Sequence, residues 1–273
     1  MNGVWSVLNV WHNNLYSHTV QNTKIKRKNR FFAVAAVLLT AWLSSCSSVY
    51  LPNVPATPSF RNQGEAHLAA HVNPKGNMSG SAGVAITDHI ALIGSGSFVN
   101  YQSNNHDFKQ YIYEGGLGYF ANMGKTKRNV LEVYAGYGVG TTQDVDKRAS
   151  TTGTTPVETR SLGFNKIFLQ TNFSSTRAKK LSILGKQRTL RYGTAVRISR
   201  VKMSRFELNG VTGQRLEENV YIEPVFFTRL ELNKGFQLQY TNGWNFGLMD
   251  NQYLKAGNAV FTIGLVYNFG RKN

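Results

Sequence analysis

From Gly64 to the end of the chain, apolar and polar residues trade places at every second position, in run after run separated by turn residues. The last run is the clearest. Phe261, Ile263, Leu265, Tyr267 and Phe269 share one face, and Val260, Thr262, Gly264, Val266 and Asn268 share the other. Successive side chains of a strand point to opposite faces, so a period of two reads as β-structure. Ten strands are expected, near 64–72, 78–87, 90–99, 110–120, 129–139, 161–173, 189–201, 219–231, 236–246 and 257–269. Their lengths are close to the about 9–11 residues with which a tilted strand crosses a bilayer.

The two faces differ in kind. One is apolar and aromatic, as in Leu131, Val133, Ala135, Tyr137 and Val139. The other is small, polar or charged, as in Glu132, Tyr134, Gly136 and Gly138. In a soluble sandwich the polar face meets water and carries Lys and Glu freely. A polar face rich in Gly and Tyr suits a crowded interior instead. No stretch after residue 45 is apolar enough for a membrane helix, so a chain of this kind spans a bilayer only as a closed barrel. The expected fold is all-β: an antiparallel up-and-down transmembrane β-barrel of about ten strands. A lipid-anchored soluble β-barrel is the alternative.

The connections alternate as well. Ile86-Thr87-Asp88-His89 and Asn233-Lys234-Gly235 read as tight turns, whereas 100–109, 140–160, 204–218 and 247–256 read as longer polar loops. Short turns on one rim and long loops on the other are the asymmetry of outer-membrane barrels. The basic connection 174–188 departs from it, being long where a turn is expected, and is expected either to extend as a hairpin or to lie against lipid headgroups.

The N-terminal part has a different logic. Lys24, Lys26, Arg27, Lys28 and Arg30 precede an apolar run from Phe31 to Leu43, followed by Leu43-Ser44-Ser45-Cys46. A basic region, a short apolar stretch and small residues before a cut make a secretory signal. Cys46, the only cysteine of the chain, is the expected lipidation site. Residues 1–45 are read as the leader, with 1–23 suggesting a start assigned too early or an unusually long n-region. Residues 46–63 are read as the lipidated cysteine and a linker. Pro52, Pro55 and Pro58 within it favour an extended, semi-rigid spacer. Residues 64–273 are the barrel. Without a second cysteine, no disulfide staples the chain.

Several stretches resemble the small outer-membrane β-barrel lipoproteins of Bacteroidetes. They are Leu43-Ser44-Ser45-Cys46-Ser47-Ser48, Tyr50-Leu51-Pro52-Asn53, Phe60 with Gly64-Glu65, and Ile86-Thr87-Asp88-His89. Gly116-Leu117-Gly118-Tyr119-Phe120, the run from Leu131 to Gly138 and Gly264-Leu265-Val266-Tyr267-Asn268-Phe269 complete the set. The resemblance implies a fold and an address: the bacterial outer membrane. It implies outer-membrane lipid as the surroundings, and the barrel-assembly and lipoprotein-processing machineries as partners. Lacking an acidic run after Cys46, the chain is expected to keep its lipid on the periplasmic side.

The chain carries 31 Lys+Arg against 14 Asp+Glu in 273 residues. Removing the five basic residues of the leader leaves 26 against 14. Such a balance suits an anionic membrane surface. No nucleic-acid motif appears, and no nucleic-acid partner is expected.

Candidate chemistry is sparse. His67 and His71 have the spacing of a metal pair, but on a strand they lie about 13 Å apart, so no metal site is expected and no cofactor either. Gly94-Ser95-Gly96 and the glycines from Gly136 to Gly140 complete no phosphate-binding motif. His106 beside Asp107, and His71, are the histidines expected near the outer rim, and no Gly-x-Ser-x-Gly accompanies them. No enzymatic activity is expected. Glu114, Glu132, Arg191, Arg197, Glu223, Arg229 and Glu231 share the polar phase of their strands. They are expected to form a paired lumen charge network, because buried charges survive only when paired. The expectation is a monomeric outer-membrane lipoprotein barrel with a plugged lumen and a structural or surface-interaction role. The alternatives are a narrow channel or transporter for a small solute, and a lipid-anchored periplasmic barrel that binds a ligand.

Overall fold

Ten long strands follow one another in the computed structural model, which describes residues 49–270 apart from 75, 125–128, 151–152, 184–185, 214, 234 and 256–258. The leader 1–45, the early start and Cys46 lie outside the described residues. We number the strands β1 (Ala66–Val72), β2 (Met78–Ala85), β3 (Ile90–Gln102), β4 (His106–Met123) and β5 (Asn129–Ser150). Then come β6 (Gly153–Ile183), β7 (Lys186–Leu208), β8 (Glu218–Glu231), β9 (Phe236–Trp244) and β10 (Ala259–Phe269). Two further pairings, Val211–Thr212 and Phe246–Gly247, are two residues long and decorate one end.

Every strand pairs antiparallel with its neighbour in sequence, including β7 with β8 through Arg197↔Glu223. β10 returns to β1, with Ala66 opposite Phe269 and Val72 opposite Ile263. The ladder therefore closes and leaves no long unpaired edge, which is how a sheet satisfies its backbone in lipid.

Even strand number puts the start of β1 and the end of β10 on one rim, the termini end. The turns after β2, β4, β6 and β8 share that rim. The other rim, the loop end, carries 73–77, 103–105, 151–152, 209–217 and 245–258.

The alternation resolves as the sequence suggests. Leu68, Leu92, Leu117, Tyr137, Leu169, Ile198 and Leu265 point outward and are 43–54% exposed. They form an apolar belt, with Tyr119, Phe173, Tyr192, Phe236 and Phe269 as an aromatic girdle toward the termini end. Such a belt, left exposed by the described residues, matches a hydrocarbon surrounding. The inward faces carry Glu114, Gln170, Asn172, Arg197, Gln239 and Asn268, all buried.

Glycine has a steric task in this wall. Gly136 lies opposite Phe168 on β6. A Cβ there would sit 2.3 Å from both the Phe168 ring and the Gly115 carbonyl oxygen. The glycine thus lets an aromatic ring lie flat across the inner surface.

Two loop expectations need correction, and a third connection takes one of its two expected forms. The stretch 140–160, expected as a loop, is ladder almost throughout, running Gly140↔Phe164 to Ser150↔Gly153. Likewise 100–109 shrinks to a three-residue turn between Gln102 and His106. Backbone hydrogen bonds sustain a hairpin beyond the membrane without an apolar face, so the hydrophobic period ends before the strands do. The connection 174–188 also extends as a hairpin, with Leu181 opposite Arg188. Arg188 Nη1 donates to the Leu232 carbonyl at 2.6 Å, tying this hairpin to the next turn.

The larger correction concerns the linker. Residues 49–61 are not a spacer outside the folded part. Val49, Tyr50, Asn53, Val54, Ala56, Thr57, Ser59 and Phe60 are each at most 5% exposed, because this segment lies inside the barrel.

Candidate functional site: a lumen filled by the chain itself

An eight-stranded barrel is just filled by its own side chains. Two more strands add about 12 Å of circumference and about 4 Å of diameter, roughly the width of one extended chain. Residues 49–61 occupy that extra width.

The segment's contacts run in order from the termini end to the loop end. At the termini end Asn122 Nδ2 donates to the Arg61 carbonyl at 2.9 Å. The Phe60 amide donates to Glu132 Oε1 at 3.0 Å. Next, Arg229 donates to Ser59 Oγ at 3.2 Å, to Thr57 Oγ1 at 2.7 Å and to the Thr57 carbonyl. Gln170 and Asn172 donate to the Ala56 carbonyl at 2.7 and 3.1 Å. Asn53 Nδ2 donates to Ser95 Oγ at 3.0 Å. The Leu51 amide donates to Gln110 Oε1 at 3.2 Å, and Tyr50 donates to Glu223 Oε1 at 3.1 Å. Ser59 adopts a positive φ of 61°, a conformation non-glycine residues rarely take. It bends the segment where Arg229 and Glu132 grip it.

Prolines suit such a segment. Each lacks an N–H, so the buried backbone has three fewer donors to satisfy at Pro52, Pro55 and Pro58. The carbonyls that remain are met by wall side chains.

Apolar seals close both ends. Phe60 packs with Ala85, Ala91, Ile93, Phe120 and Tyr134 at the termini end. Val49 and Tyr50 pack with Leu162, Phe164, Met203, Phe206, Tyr221 and Leu254 at the loop end. Leu254 belongs to the connection 245–258. That connection is held over the barrel by Asn219, whose Nδ2 reaches the Leu254 carbonyl at 2.6 Å, and by Glu217, which accepts the amides of Gln252, Tyr253 and Leu254.

Between the seals lies a charge cluster. Lys166 Nζ is 2.8 Å from Glu114 Oε1 and 3.5 Å from Glu223 Oε2. Arg197 Nη1 is 3.0 Å from Glu114 and 3.9 Å from Glu223. Two cations face two carboxylates, so the cluster is neutral. Gln170 Oε1 accepts from Arg197 Nε and Nη2 at 2.9 and 2.7 Å. Lys166 donates to Tyr50 Oη at 2.8 Å, which joins the segment to the cluster.

The seven residues expected in one network divide into four groups. Glu114, Arg197 and Glu223 meet at the centre. Glu132 is held by the Phe60 amide, Asn172 and Tyr134. Arg229 is held by the segment and by Gln239. Arg191 and Glu231 approach to 3.5 Å nearer the termini rim, where they are 29% and 34% exposed. Glu132 and Arg229 thus each take partners from the threaded segment, which sequence reasoning placed elsewhere. Lys166 and Tyr50 were missed. Lys166 shares the inward parity of Phe164, Phe168 and Gln170, and that parity was the available signal.

His67 and His71 face the lumen from β1, and His67 Nδ1 lies 3.0 Å from Asn268 Oδ1. Among the described residues no group of three His, Cys, Asp or Glu is placed to hold a metal.

A second cluster sits beyond the belt at the loop end. His106 lies 3.2 Å from Asp144 and 3.1 Å from Asp146. Arg160 binds Asp144, Asp146 and Glu158 at 2.7, 2.7 and 2.6 Å. Burial pushes the Asp144 carboxyl up despite Arg160 and His106. At Asp146 burial pushes up too, but the bonds from His106 and Arg160 outweigh it and hold the carboxyl below its usual value. Both imidazole nitrogens face carboxylates, so the ring is not turned toward a nucleophilic hydroxyl. The arrangement ties β4, β5 and β6 together.

Among solved structures the chain is similar to the translocator domain of the autotransporter NalP from Neisseria meningitidis, at 13% identity over 76% of both chains, with a TM-score of 0.41. It is similar to the β domain of the Bordetella autotransporter Brka at 10% identity, covering 76% of this chain and 99% of that one, with a TM-score of 0.27. Against the pyoverdine outer-membrane receptor FpvA from Pseudomonas aeruginosa PAO1 the identity is 10% and the TM-score 0.25, and this chain spans 44% of the receptor. No protein-family model and no curated protein sequence matches the chain. The fold assignment rests on the closed ladder and the outward apolar belt: an all-β, antiparallel ten-stranded barrel of the outer-membrane kind.

Proposed function

We propose that this chain is a monomeric lipoprotein barrel of the bacterial outer membrane, lipidated at Cys46. Its lumen is held shut by its own residues 49–61, and it works through the surface at the loop end rather than by conducting solutes or by catalysis. The observation that carries this is the threaded segment, sealed by apolar clusters at both ends and bonded to the wall along its whole length. The lumen cavity beside Ser59, Arg191 and Arg229 measures about 10 Å³, room for no more than about one water. The loop-end connections 209–217 and 245–258 and the β5–β6 hairpin form the surface available to a partner.

Planar-bilayer recording tests this. The intact chain is expected to show no steady conductance. A variant lacking 49–61 is expected to conduct, since the ten-stranded wall alone does not fill its bore. Steady ion-selective current through the intact chain would promote the narrow channel or transporter to first place.

A further inference from the structure

We infer that the stretch ahead of Val49 leaves the barrel at the loop end, so that Cys46 and the lipid it carries are displayed on the side of the membrane opposite the strand termini. This rests on the lipoprotein reading above and reverses the periplasmic position expected from the sequence.

The direction of the segment decides it. Arg61 is tied to Asn122 at the termini end, and Phe60 packs among Ala85, Ala91 and Phe120 there. Tyr50 reaches Glu223 and Lys166, and Val49 packs with Leu162, Met203 and Phe206. The chain has therefore crossed the lumen by the time it reaches Val49.

The outer surface at that level gives an independent measure. On β7 the outward residues flanking Met203 are Lys202 and Ser204, both exposed, with Arg200 and Arg205 on either side at 51% and 65%. The outward apolar residues of this strand, Tyr192, Val196 and Ile198, all lie closer to the termini end. Val49 thus sits at the loop-side boundary of the belt.

Chain length excludes a return. Two residues, Ser47 and Ser48, separate Cys46 from Val49, and the three Cα–Cα steps between them reach at most about 11 Å. The apolar band of a barrel is about 25 Å tall. A lipid on Cys46 cannot come back to the termini-side leaflet while Val49 stays where it is.

Ser48→Cys, Val211→Cys and Asn233→Cys, each made in the full chain, test the inference with a bulky maleimide that does not cross the outer membrane. Val211 is exposed in the loop-end decoration, and Asn233 lies in the turn after β8. Ser48→Cys is expected to label on intact cells as Val211→Cys does, while Asn233→Cys labels only after permeabilisation. Ser48→Cys remaining unlabelled on intact cells, with the two controls behaving as stated, overturns the inference and leaves the barrel reading standing. Equal behaviour of Val211→Cys and Asn233→Cys sinks the spanning barrel and the inference with it. Fatty-acid labelling of the wild type that persists in Cys46→Ser refutes the lipid assignment separately.

Discussion

Arg197→Met perturbs the centre of the lumen with little change in volume. Arg197 is fully buried, 3.0 Å from Glu114 and 3.9 Å from Glu223, and Lys166 faces the same two carboxylates. Methionine fills much of the space but leaves two carboxylates facing one ammonium. Removing one partner from a buried charge group costs about 3–5 kcal/mol. For a chain of this size, 1 kcal/mol moves a thermal midpoint by about 2–4 °C, so a fall of about 6–20 °C is expected. Glu114→Gln leaves the opposite imbalance and is expected to fall similarly. The double variant restores neutrality and is expected to fall by clearly less than the two single losses added together. Gln170 still lacks its guanidinium donors in the double, which costs about 1–3 kcal/mol. The assay is gel mobility with and without heating, read as the temperature at which half the folded band converts in a fixed heating time. The fixed time matters because irreversible unfolding is a rate. A midpoint for Arg197→Met within about 2 °C of wild type would refute the charge-balance argument. So would a double variant whose loss equals the sum of the two singles, since charges that interact must show a coupling.

Other expectations follow from single contacts. Asn53→Cys/Ser95→Cys joins side chains now 3.0 Å apart, and oxidation is expected to link the segment to β3, seen as a mobility shift lost on reduction. Phe60→Ala empties the termini-end seal and is expected to cost about 3–5 kcal/mol; an unchanged heat-conversion midpoint would contradict the packing there. Gly136→Ala drives a Cβ against the Gly115 carbonyl and the Phe168 ring, both at 2.3 Å. A loss of about 1–3 kcal/mol is expected, read as reduced yield of folded barrel. Because Asp146 is held below its usual value, its contribution is present above about pH 4 and lost as pH falls through the lowered value. The stability gap between wild type and Asp146→Asn is expected to be open at neutral pH and to close on acidification.

The ten strands were legible because a wall with one face toward lipid must be apolar at every second position, a period of two that helices do not have. All ten appear where the alternation put them. The hairpin extensions were illegible for the complementary reason. Thr141, Thr142, Gln143 and Asp144 are polar on both faces, so the ladder continues without a hydrophobic signature. The charges at Glu114, Arg197 and Glu223 were legible from strand parity, and parity alone would also have found Lys166. Partner identity was not legible, since Glu132 and Arg229 meet a segment more than 70 residues away in sequence.

The threaded segment was hidden by an ambiguity of proline. Pro52, Pro55 and Pro58 say that the chain is extended and do not say whether water or protein surrounds it. The residues between them hold the distinction. A spacer in water has no use for Val49, Tyr50, Val54 and Phe60, whereas a segment crossing a barrel needs apolar groups at its two ends and polar ones between. That order is present: Val49 and Tyr50 at one seal, Asn53 and Thr57 in the polar middle, Phe60 at the other seal. The wall shows the complementary order, with Phe164 and Met203 toward one end, Glu114, Lys166 and Arg197 at the centre, and Phe120 toward the other. Two sequences written in matching order, one in the segment and one in the wall, are what a resident filling requires. A passing solute would meet the same charges but would leave the two apolar seals without partners. The described lumen is therefore matched, layer by layer, to residues 49–61 of the same chain.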